Sequence, residues 1–365
     1  MKSYSEFMEY IKENVTDYLP ERFEEAEISI QQVVKNNDVV LDGLSIRNPD
    51  SNISPNIYLN PLYKQYQKGR NLDELVSGIA DTYIENMEPI ENRTFQVQIE
   101  DIKNYEVVKG EIFPRLVNLE KNTTRLQNVP YMQREDLAIT YHVKVSGNRD
   151  SIGSLMITNE LMEVYGVTKE KLHTQAMENM ERLLPPVFLP LGEMIVDVMT
   201  EDFGRNEGVS QEEAKEYVKD MIPTGGPNVY CLTNQYKMNG AVGIMSESIQ
   251  QMVADRVGGD YYVLPSSVHE VLIVPQSAGM DPEELTDMVN TVNEGCVMQD
   301  EILSDHVYQY DAKEHKLSLC APAKEMKQEQ TMEQNRQPAF EEKSIDATKQ
   351  PEQSHEPIKH SGRSH

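Results

Sequence analysis

The sequence predicts an α+β protein in which antiparallel or mixed sheets are covered by helices. From residue 229 onward, short β-rich runs and helical patterns follow one another in the order ββ-α-ββ-α-ββ. The links between these runs are too short for a series of parallel crossovers, each of which needs about a dozen residues. One of these helices has a strong start signal, because Asp281 can cap it and Pro282 fits its first turn.

The first part of the chain is predicted to contain a helix, a three-stranded meander and a pair of helices. Apolar residues recur at helical spacing in the helices, and β-rich runs alternate with polar turns in the meander. The third strand begins near Pro55, which suits an edge strand because proline donates no ladder hydrogen bond. The predicted elements are a helix over 4–18, strands over 27–35, 39–47 and 54–59, and helices over 61–67 and 71–84.

Residues 94–150 are predicted to end in a turn that separates two lobes. The turn at 146–150 is polar and contains Gly147, which favours a boundary there. The domains are therefore predicted as an N-terminal α+β lobe over 1–150 and a C-terminal α+β lobe over 151–320. The predicted elements before the turn are a helix over 94–112 and strands over 112–118 and 137–145.

The second lobe is predicted to begin with a strand and two amphipathic helices. Three prolines interrupt the apolar run 183–190, which predicts a rigid connector. The acidic, polar stretch 201–218 is predicted as a mobile or weakly helical insertion. Beyond Ala321 the composition turns to Gln, Glu, Lys, Pro and Ser, which predicts a disordered tail over 321–365. The other predicted elements are strands over 154–158, 229–233, 240–245, 306–310 and 315–319, a hairpin over 261–274, and helices over 159–165, 168–180, 191–199, 246–257 and 281–294.

The balance of charge and the cysteine content exclude several classes of protein. The chain of 365 residues has a formal net charge of −27, and residues 1–320 contain 27 Lys and Arg against 53 Asp and Glu. Direct nucleic-acid binding and attachment to an anionic membrane are therefore disfavoured. Three widely spaced cysteines, Cys231, Cys296 and Cys320, favour a reducing compartment over a disulfide framework. Neither a signal-peptide core nor an apolar run of ~18 residues is present, so a cytoplasmic protein without a membrane span is predicted.

A set of short motifs spread along the chain is distinctive. They include Ser54-Pro55-Asn56-Ile57-Tyr58-Leu59-Asn60, Pro114-Arg115-Leu116-Val117-Asn118, Leu183-Leu184-Pro185-Pro186, Leu232-Thr233-Asn234 with Asn239-Gly240-Ala241, the block 258–271, and Leu303-Ser304-Asp305-His306-Val307-Tyr308. Through these motifs the chain, over about residues 3–320, resembles a bacterial family, the domain of unknown function DUF5688. The resemblance implies a protein of anaerobic gut bacteria that is often encoded near mobile elements. It implies no activity and no site residue.

The best candidates for chemistry are two pairs of a histidine and a carboxylate. His269 and Glu270 follow the turn of the predicted hairpin, and Asp305 and His306 lie where a strand is predicted to begin. An imidazole beside a carboxylate suits a general base with an orienting partner, or a metal site with an open position. Neighbouring residues of a strand point to opposite faces, and no metal-binding spacing is present. These side chains are explained more simply as holding loops by hydrogen bonds or as lying in water, so no catalytic residue, metal ligand or cofactor is assigned.

The candidates for binding are two serines, an asparagine and two tyrosines. Ser266 and Ser267 lie in the hairpin turn without a nucleophile-elbow motif, so that they either contact a ligand or cap the turn. Asn234 flanks a predicted loop. Tyr58 and Tyr66 either line a cleft between strand and helix or form part of a half-buried belt.

Together these observations favour a non-enzymatic binding or regulatory protein that acts through a protein partner, as an accessory protein of a mobile element. The first alternative is a hydrolase or metal-dependent enzyme that uses His269, Glu270, Asp305 and His306, and it requires these four side chains to share one cleft. The second alternative is an acidic mimic of nucleic acid that binds a basic protein, and it requires carboxylates aligned on one face.

Overall fold

The computed structural model shows an arrangement of α-helices and antiparallel sheets, which confirms the predicted α+β class. The structure describes residues 1–49, 56–91, 101–147, 152–207, 209–219, 221 and 228–320. Residues 1–320 form one compact unit. The predicted tail over 321–365, most of the turn at 146–150 and the first part of the helix predicted over 94–112 lie outside the described residues.

Most of the longer helices begin at a polar residue whose side chain accepts a hydrogen bond from a backbone N–H of the first turn. Ser3, Thr158, Thr168, Ser246 and Asp281 are such caps, and this local chemistry explains why the helices begin where they do. The helices are α1 (Tyr4–Asn14), α2 (Leu59–Gln67), α3 (Leu72–Glu91), α4 (Tyr105–Val108), α5 (Thr123–Leu126), α6 (Asn159–Tyr165), α7 (Lys169–Leu183), α8 (Leu191–Glu207), α9 (Gln211–Lys219), α10 (Glu247–Val257) and α11 (Pro282–Gly295). Among the helices that the structure describes, none has both the length and the apolar character needed to cross a membrane.

The strands form three sheets, and every strand pairing between described residues is antiparallel. The strands are β1 (Glu27–Val34), β2 (Val40–Arg47), β3 (Asn56–Tyr58), β4 (Ile112–Asn118), β5 (Tyr131–Arg134), β6 (Leu137–Gly147), β7 (Ile152–Met156), β8 (Pro186–Pro190), β9 (Tyr230–Asn234), β10 (Tyr261–Leu264), β11 (Val271–Pro275), β12 (Tyr308–Asp311) and β13 (Lys316–Leu319). The first sheet has the order β1-β2-β3. The second has the order β4-β6-β5, with β7 also paired to β6, and the third has the order β13-β12-β10-β11-β9-β8.

Two large apolar clusters hold these sheets. The first sheet packs on α1, α2 and α3 around Phe7, Leu44 and Tyr83. The second and third sheets share a larger cluster with α7 and α10, which includes Tyr141 and Tyr261. This larger cluster contains residues from both sides of position 150, and β6 pairs with β7 across that position. The apolar core itself therefore does not mark the boundary that we predicted between two lobes.

Several predicted elements are wrong in detail. Residues 240–245 were predicted as a strand but form a buried 3₁₀-helix, because the N–H groups of Gly240 and Ala241 donate to the carbonyl oxygens of His269 and Val268. Residues 183–190 were predicted as a rigid connector, but the second part of this stretch forms β8. The prolines of β8 are tolerated because β8 is an edge strand of the third sheet.

Other differences concern helices. The stretch 201–218 was predicted as mobile or weakly helical, but α8 extends to Glu207 and α9 begins at Gln211. The rings of Phe203 and Tyr217 stack between these helices, with their centroids 5.0 Å apart. In the described part of the helix predicted over 94–112, the only α-helical residues are those of α4, and β4 begins at Ile112. β5 has no counterpart among the predicted strands.

Candidate functional site

A cleft of about 310 Å³ lies where the β1–β2 hairpin, the second sheet and the loops of the third sheet meet. The hairpin contributes Lys35 to its lining. The second sheet and α5 contribute two arginines and a histidine, and loops of the third sheet contribute a histidine and two carboxylates. We call this site the basic cleft and define it by Lys35, Arg115, Arg125, His142, His269, Asp300 and Glu301.

The pairing of β4 with β6 places Arg115 and His142 on the same face of the second sheet. Arg115 pairs with Thr140, and Phe113 pairs with His142. Directly paired residues project to the same side of a sheet, and side chains two positions apart along a strand also share a face. The alternate residues, such as Leu116 and Tyr141, belong to the large apolar cluster. The face of Arg115 and His142 is mixed, because Phe113 and Val117 also lie on it and are buried in apolar clusters. Arg115 and His142 are therefore polar side chains with apolar neighbours.

The guanidinium of Arg115 has few partners. Its Nη2 donates to Ser154 Oγ at 2.8 Å, and its Nε is enclosed without an acceptor. Among the ion pairs of the described residues, none includes Arg115 or Arg125. Burial, and then the positive charge of Arg125, lower the pKa of Arg115 to about 10. The cleft therefore contains a desolvated cation that lacks a carboxylate partner.

Arg125 and His142 line the cleft beside Arg115. Burial lowers the pKa of Arg125, although the nearby Asp38 carboxylate opposes the change. Burial, and then the charges of both arginines, lower the pKa of His142 well below its ordinary value. His142 is thus neutral at pH 7, and its Nε2 lies 3.4 Å from Thr140 Oγ1. The two guanidinium groups lie beside a neutral imidazole in a partly desolvated site, and this arrangement favours the binding of an anion.

His269 is held in one tautomer by the loop that precedes the 3₁₀-helix. The N–H of Asn239 donates to His269 Nδ1 at 3.2 Å, so that the ring hydrogen is on Nε2. That nitrogen lies 3.3 Å from Glu301 Oε1. Both ring nitrogens are therefore engaged, and this geometry leaves no free basic nitrogen for proton abstraction.

The remaining candidates, in this hairpin and at the end of β9, organise turns. Ser267 Oγ donates to Glu270 Oε1 at 2.8 Å and accepts from the N–H of His269 at 3.0 Å. The backbone N–H of Ser266 donates to Leu264 O. Asn234 accepts from the N–H of Tyr236 and donates to Met238 O, which closes the loop before the 3₁₀-helix. These contacts have the geometry of turn-forming side chains.

Asp305 and His306 lie elsewhere. Asp305 accepts hydrogen bonds from Lys121 Nζ at 2.8 Å and Asn293 Nδ2 at 2.9 Å, and it lines a separate cleft of about 480 Å³. His306 Nδ1 lies 3.1 Å from Asp136 Oδ2, and its side chain is 62% exposed. His269 and Asp305 therefore belong to different clefts. In the part of the chain that the structure describes, no three His, Cys, Asp or Glu side chains are grouped so that they could hold a metal ion.

The family of the chain was determined by comparison with known proteins. A family model described as a family of unknown function (DUF5688) matches residues 4–312. The chain belongs to this family. The motif-based resemblance is thereby confirmed. No curated protein and no solved structure matches the chain.

In this DUF5688 protein the two candidate tyrosines contribute to packing. Tyr66 stacks on Phe7 with ring centroids 5.7 Å apart, and its hydroxyl accepts from the N–H of Lys2. Tyr58 lies under Lys35 Nζ, which is 4.7 Å from the ring centroid. Tyr58 thus contacts a residue of the basic cleft without lining that cleft. It lines instead a separate cleft of about 280 Å³ between β3, α2 and α3, as one of the two predicted alternatives had it.

Arg115, Arg125 and His142 were missed as site residues in the sequence, although two of them carry a signal. Arg115 and His142 interrupt runs that are otherwise β-rich and apolar. A charged residue inside a buried strand is uncommon unless it has a partner or a function. Arg125 has no comparable signal, because α5 is a single turn whose position depends on contacts of Asp38.

Proposed function

We propose that this family member is a binding protein that holds a small anionic ligand, through a carboxylate or phosphate group, in the basic cleft. The observation that supports it is the pair of desolvated guanidinium groups, Arg115 and Arg125, for which the described residues supply no ion-pair partner. A guanidinium presents several donors in a planar fork, which matches the oxygens of a carboxylate or phosphate. Each charge-assisted hydrogen bond of this kind contributes about 1.5–3 kcal/mol.

The dimensions of the cleft favour a small molecule over a polymer. Its volume of about 310 Å³ lies at the lower end of the range for small-molecule sites, roughly 300–1,000 Å³. The chain as a whole carries a formal net charge of −27, which repels nucleic acids at long range. A local group of cations in such a protein suits a compact anion that enters one cleft.

Binding without chemical conversion is the function that the side chains support best. The described residues that line the cleft include no serine, threonine or cysteine that could act as a nucleophile. His269 has both ring nitrogens engaged. We further propose that a protein partner in the cytoplasm responds to the bound state, and that the protein serves a mobile element as an accessory protein.

The test is thermal unfolding with phosphate, acetate or succinate at constant ionic strength, for the wild type, Arg115→Gln and Arg134→Gln. A bound anion should stabilise the wild type by about 2.7 kcal/mol at ~100 times its dissociation constant. This stabilisation should vanish in Arg115→Gln, which itself should fold because it removes a desolvated charge. Arg134 is exposed on the neighbouring β5, so its variant should respond as the wild type does. Equal loss of the anion response in both variants would contradict the proposed site.

A further inference from the structure

We infer that the ligand of the basic cleft is a small zwitterion of the amino-acid type, with an ammonium group that contacts Asp300 and Glu301. This inference rests on the proposed anion binding and adds a second contact point to it. Asp300 and Glu301 line the same cleft as the two arginines but come from a loop of the third sheet. The cleft therefore has a cationic part and an acidic part.

The acidic part also lacks a cationic partner. No lysine or arginine of the described ranges forms an ion pair with Asp300 or Glu301. Glu301 Oε1 faces the Nε2 of His269, which is the hydrogen-bearing nitrogen in the tautomer that Asn239 selects. This contact orients the carboxylate and leaves its negative charge uncompensated. An ammonium group would compensate it.

The loop that carries these carboxylates is held at its backbone. Asn36 Nδ2 donates to Asp300 O at 2.9 Å, and the N–H of Val268 donates to Glu301 O at 2.9 Å. The N–H of Glu301 donates to Met298 O at 2.8 Å. The two side chains thus start from a fixed backbone, which lowers the entropic cost of binding a ligand between them and the arginines.

The two parts of the cleft do not neutralise each other. Neither arginine is within ion-pair distance of Asp300 or Glu301, and the carboxylate that opposes the lowered pKa of Arg125 is Asp38. A simple carboxylic acid would satisfy the arginines and would leave the acidic part unpaired. A simple amine would do the reverse. A molecule with both groups satisfies both parts, and the small volume favours a single amino acid over a peptide.

The experiment is calorimetric titration of the full chain with matched pairs of compounds. Glycine, β-alanine and γ-aminobutyrate are each compared with the acid that lacks the amine, namely acetate, propionate and butyrate. At least one amino acid should bind about tenfold or more tightly than its matched acid, as expected for an added charge-assisted hydrogen bond. Glu301→Gln should remove this preference and keep acid binding, whereas Arg115→Gln should abolish binding of both compounds.

A control variant and the opposing outcomes separate this inference from the proposed function. Glu284→Gln changes an exposed carboxylate on α11 that is not part of the lining of the cleft, and it should bind as the wild type does. Acids that bind as tightly as their amino acids, or a preference that survives Glu301→Gln, would overturn the zwitterion and leave anion binding intact. Failure of every acid, amino acid and inorganic phosphate to bind would overturn both.

Discussion

At the scale of single residues, Gly240 shows how closely the loops beside the basic cleft are packed. A Cβ atom at this position would lie 2.4 Å from Thr233 Oγ1, 2.6 Å from Asn234 N and 2.7 Å from His269 O. The two donors that hold His269 O are Thr233 Oγ1 and the N–H of Gly240 itself. Because only glycine permits this approach, it fixes the backbone from which His269 extends.

We expect Gly240→Ala to lower the free energy of unfolding by about 1–3 kcal/mol or more, because overpacking shifts the backbone. Urea denaturation measures the change. Gly78→Ala is the matched control, since Gly78 lies within α3 and a Cβ there meets nothing within 4 Å. The control should be neutral or stabilising by roughly 0.5–1 kcal/mol. Equal effects of the two variants would show that the close approach at Gly240 is not needed.

At the scale of elements, the tip of the β1–β2 hairpin connects the first sheet to the rest of the molecule. Asn37 Nδ2 donates to Gln299 O at 2.8 Å and to Ile302 O at 2.7 Å, and Asn37 exchanges two further hydrogen bonds with Asn122. Asp38 accepts from the N–H groups of α5. The tip therefore positions Lys35, Arg125 and the Asp300–Glu301 loop relative to one another.

Asn37→Gly should weaken this connection without backbone strain, because Asn37 has a φ of 59° and glycine adopts that conformation readily. We expect a loss of about 1–3 kcal/mol of stability and faster hydrogen exchange in the loop around 299–302. Hydrogen-exchange mass spectrometry provides the measurement. Glu135→Gly serves as the control, since Glu135 has a φ of 53° and an exposed side chain. The same exchange rates in both variants would argue against a connecting role for the tip.

At the scale of the whole molecule, buried or hydrogen-bonded carboxylates join segments that are distant in sequence. Burial opposes ionisation of Asp136, but hydrogen bonds from Ser304, Tyr308 and His306 outweigh it and lower its pKa. Burial likewise opposes ionisation of Asp305, and the hydrogen bonds of Lys121 and Asn293 outweigh it, so that this pKa is lowered too. A carboxyl pKa that is lower in the folded than in the unfolded state links stability to pH.

The direction in which pH changes the stability follows from this difference between the folded and the unfolded pKa. The contribution of Asp136 is complete above its unfolded pKa of about 3.9 and is lost as the pH falls through its folded pKa. We therefore expect Asp136→Asn to be less stable than the wild type by roughly 1.5–3 kcal/mol at neutral pH, and the gap to shrink below about pH 4. Urea denaturation across pH measures the gap. Asp287→Asn, an exposed position on α11, should show little difference at any pH. A gap that persists unchanged into strong acid would refute this linkage.

The α+β class, the first hairpin, most helix starts and the family could be predicted from the sequence. These depend on local signals, namely hydrophobic periodicity, caps and turns, and on motifs that are contiguous in the chain. Its errors arose where tertiary contacts override local preference. The prolines of 183–190 are accepted on a sheet edge, and Gly240 is drawn into a 3₁₀-helix by the carbonyl of His269.

Which polar residues share a site depends on the tertiary structure. His269 and Glu270 are neighbours in sequence, yet one lines the basic cleft and the other holds a turn. Arg115 and Glu301 are far apart in the chain and line the same cleft because the register of β4 and the backbone of the Asp300–Glu301 loop bring them there. Net charge sums over the whole surface, so it could exclude polymeric anions but could not reveal a local group of cations. Such a group depends on burial and strand pairing, which no single segment of sequence contains.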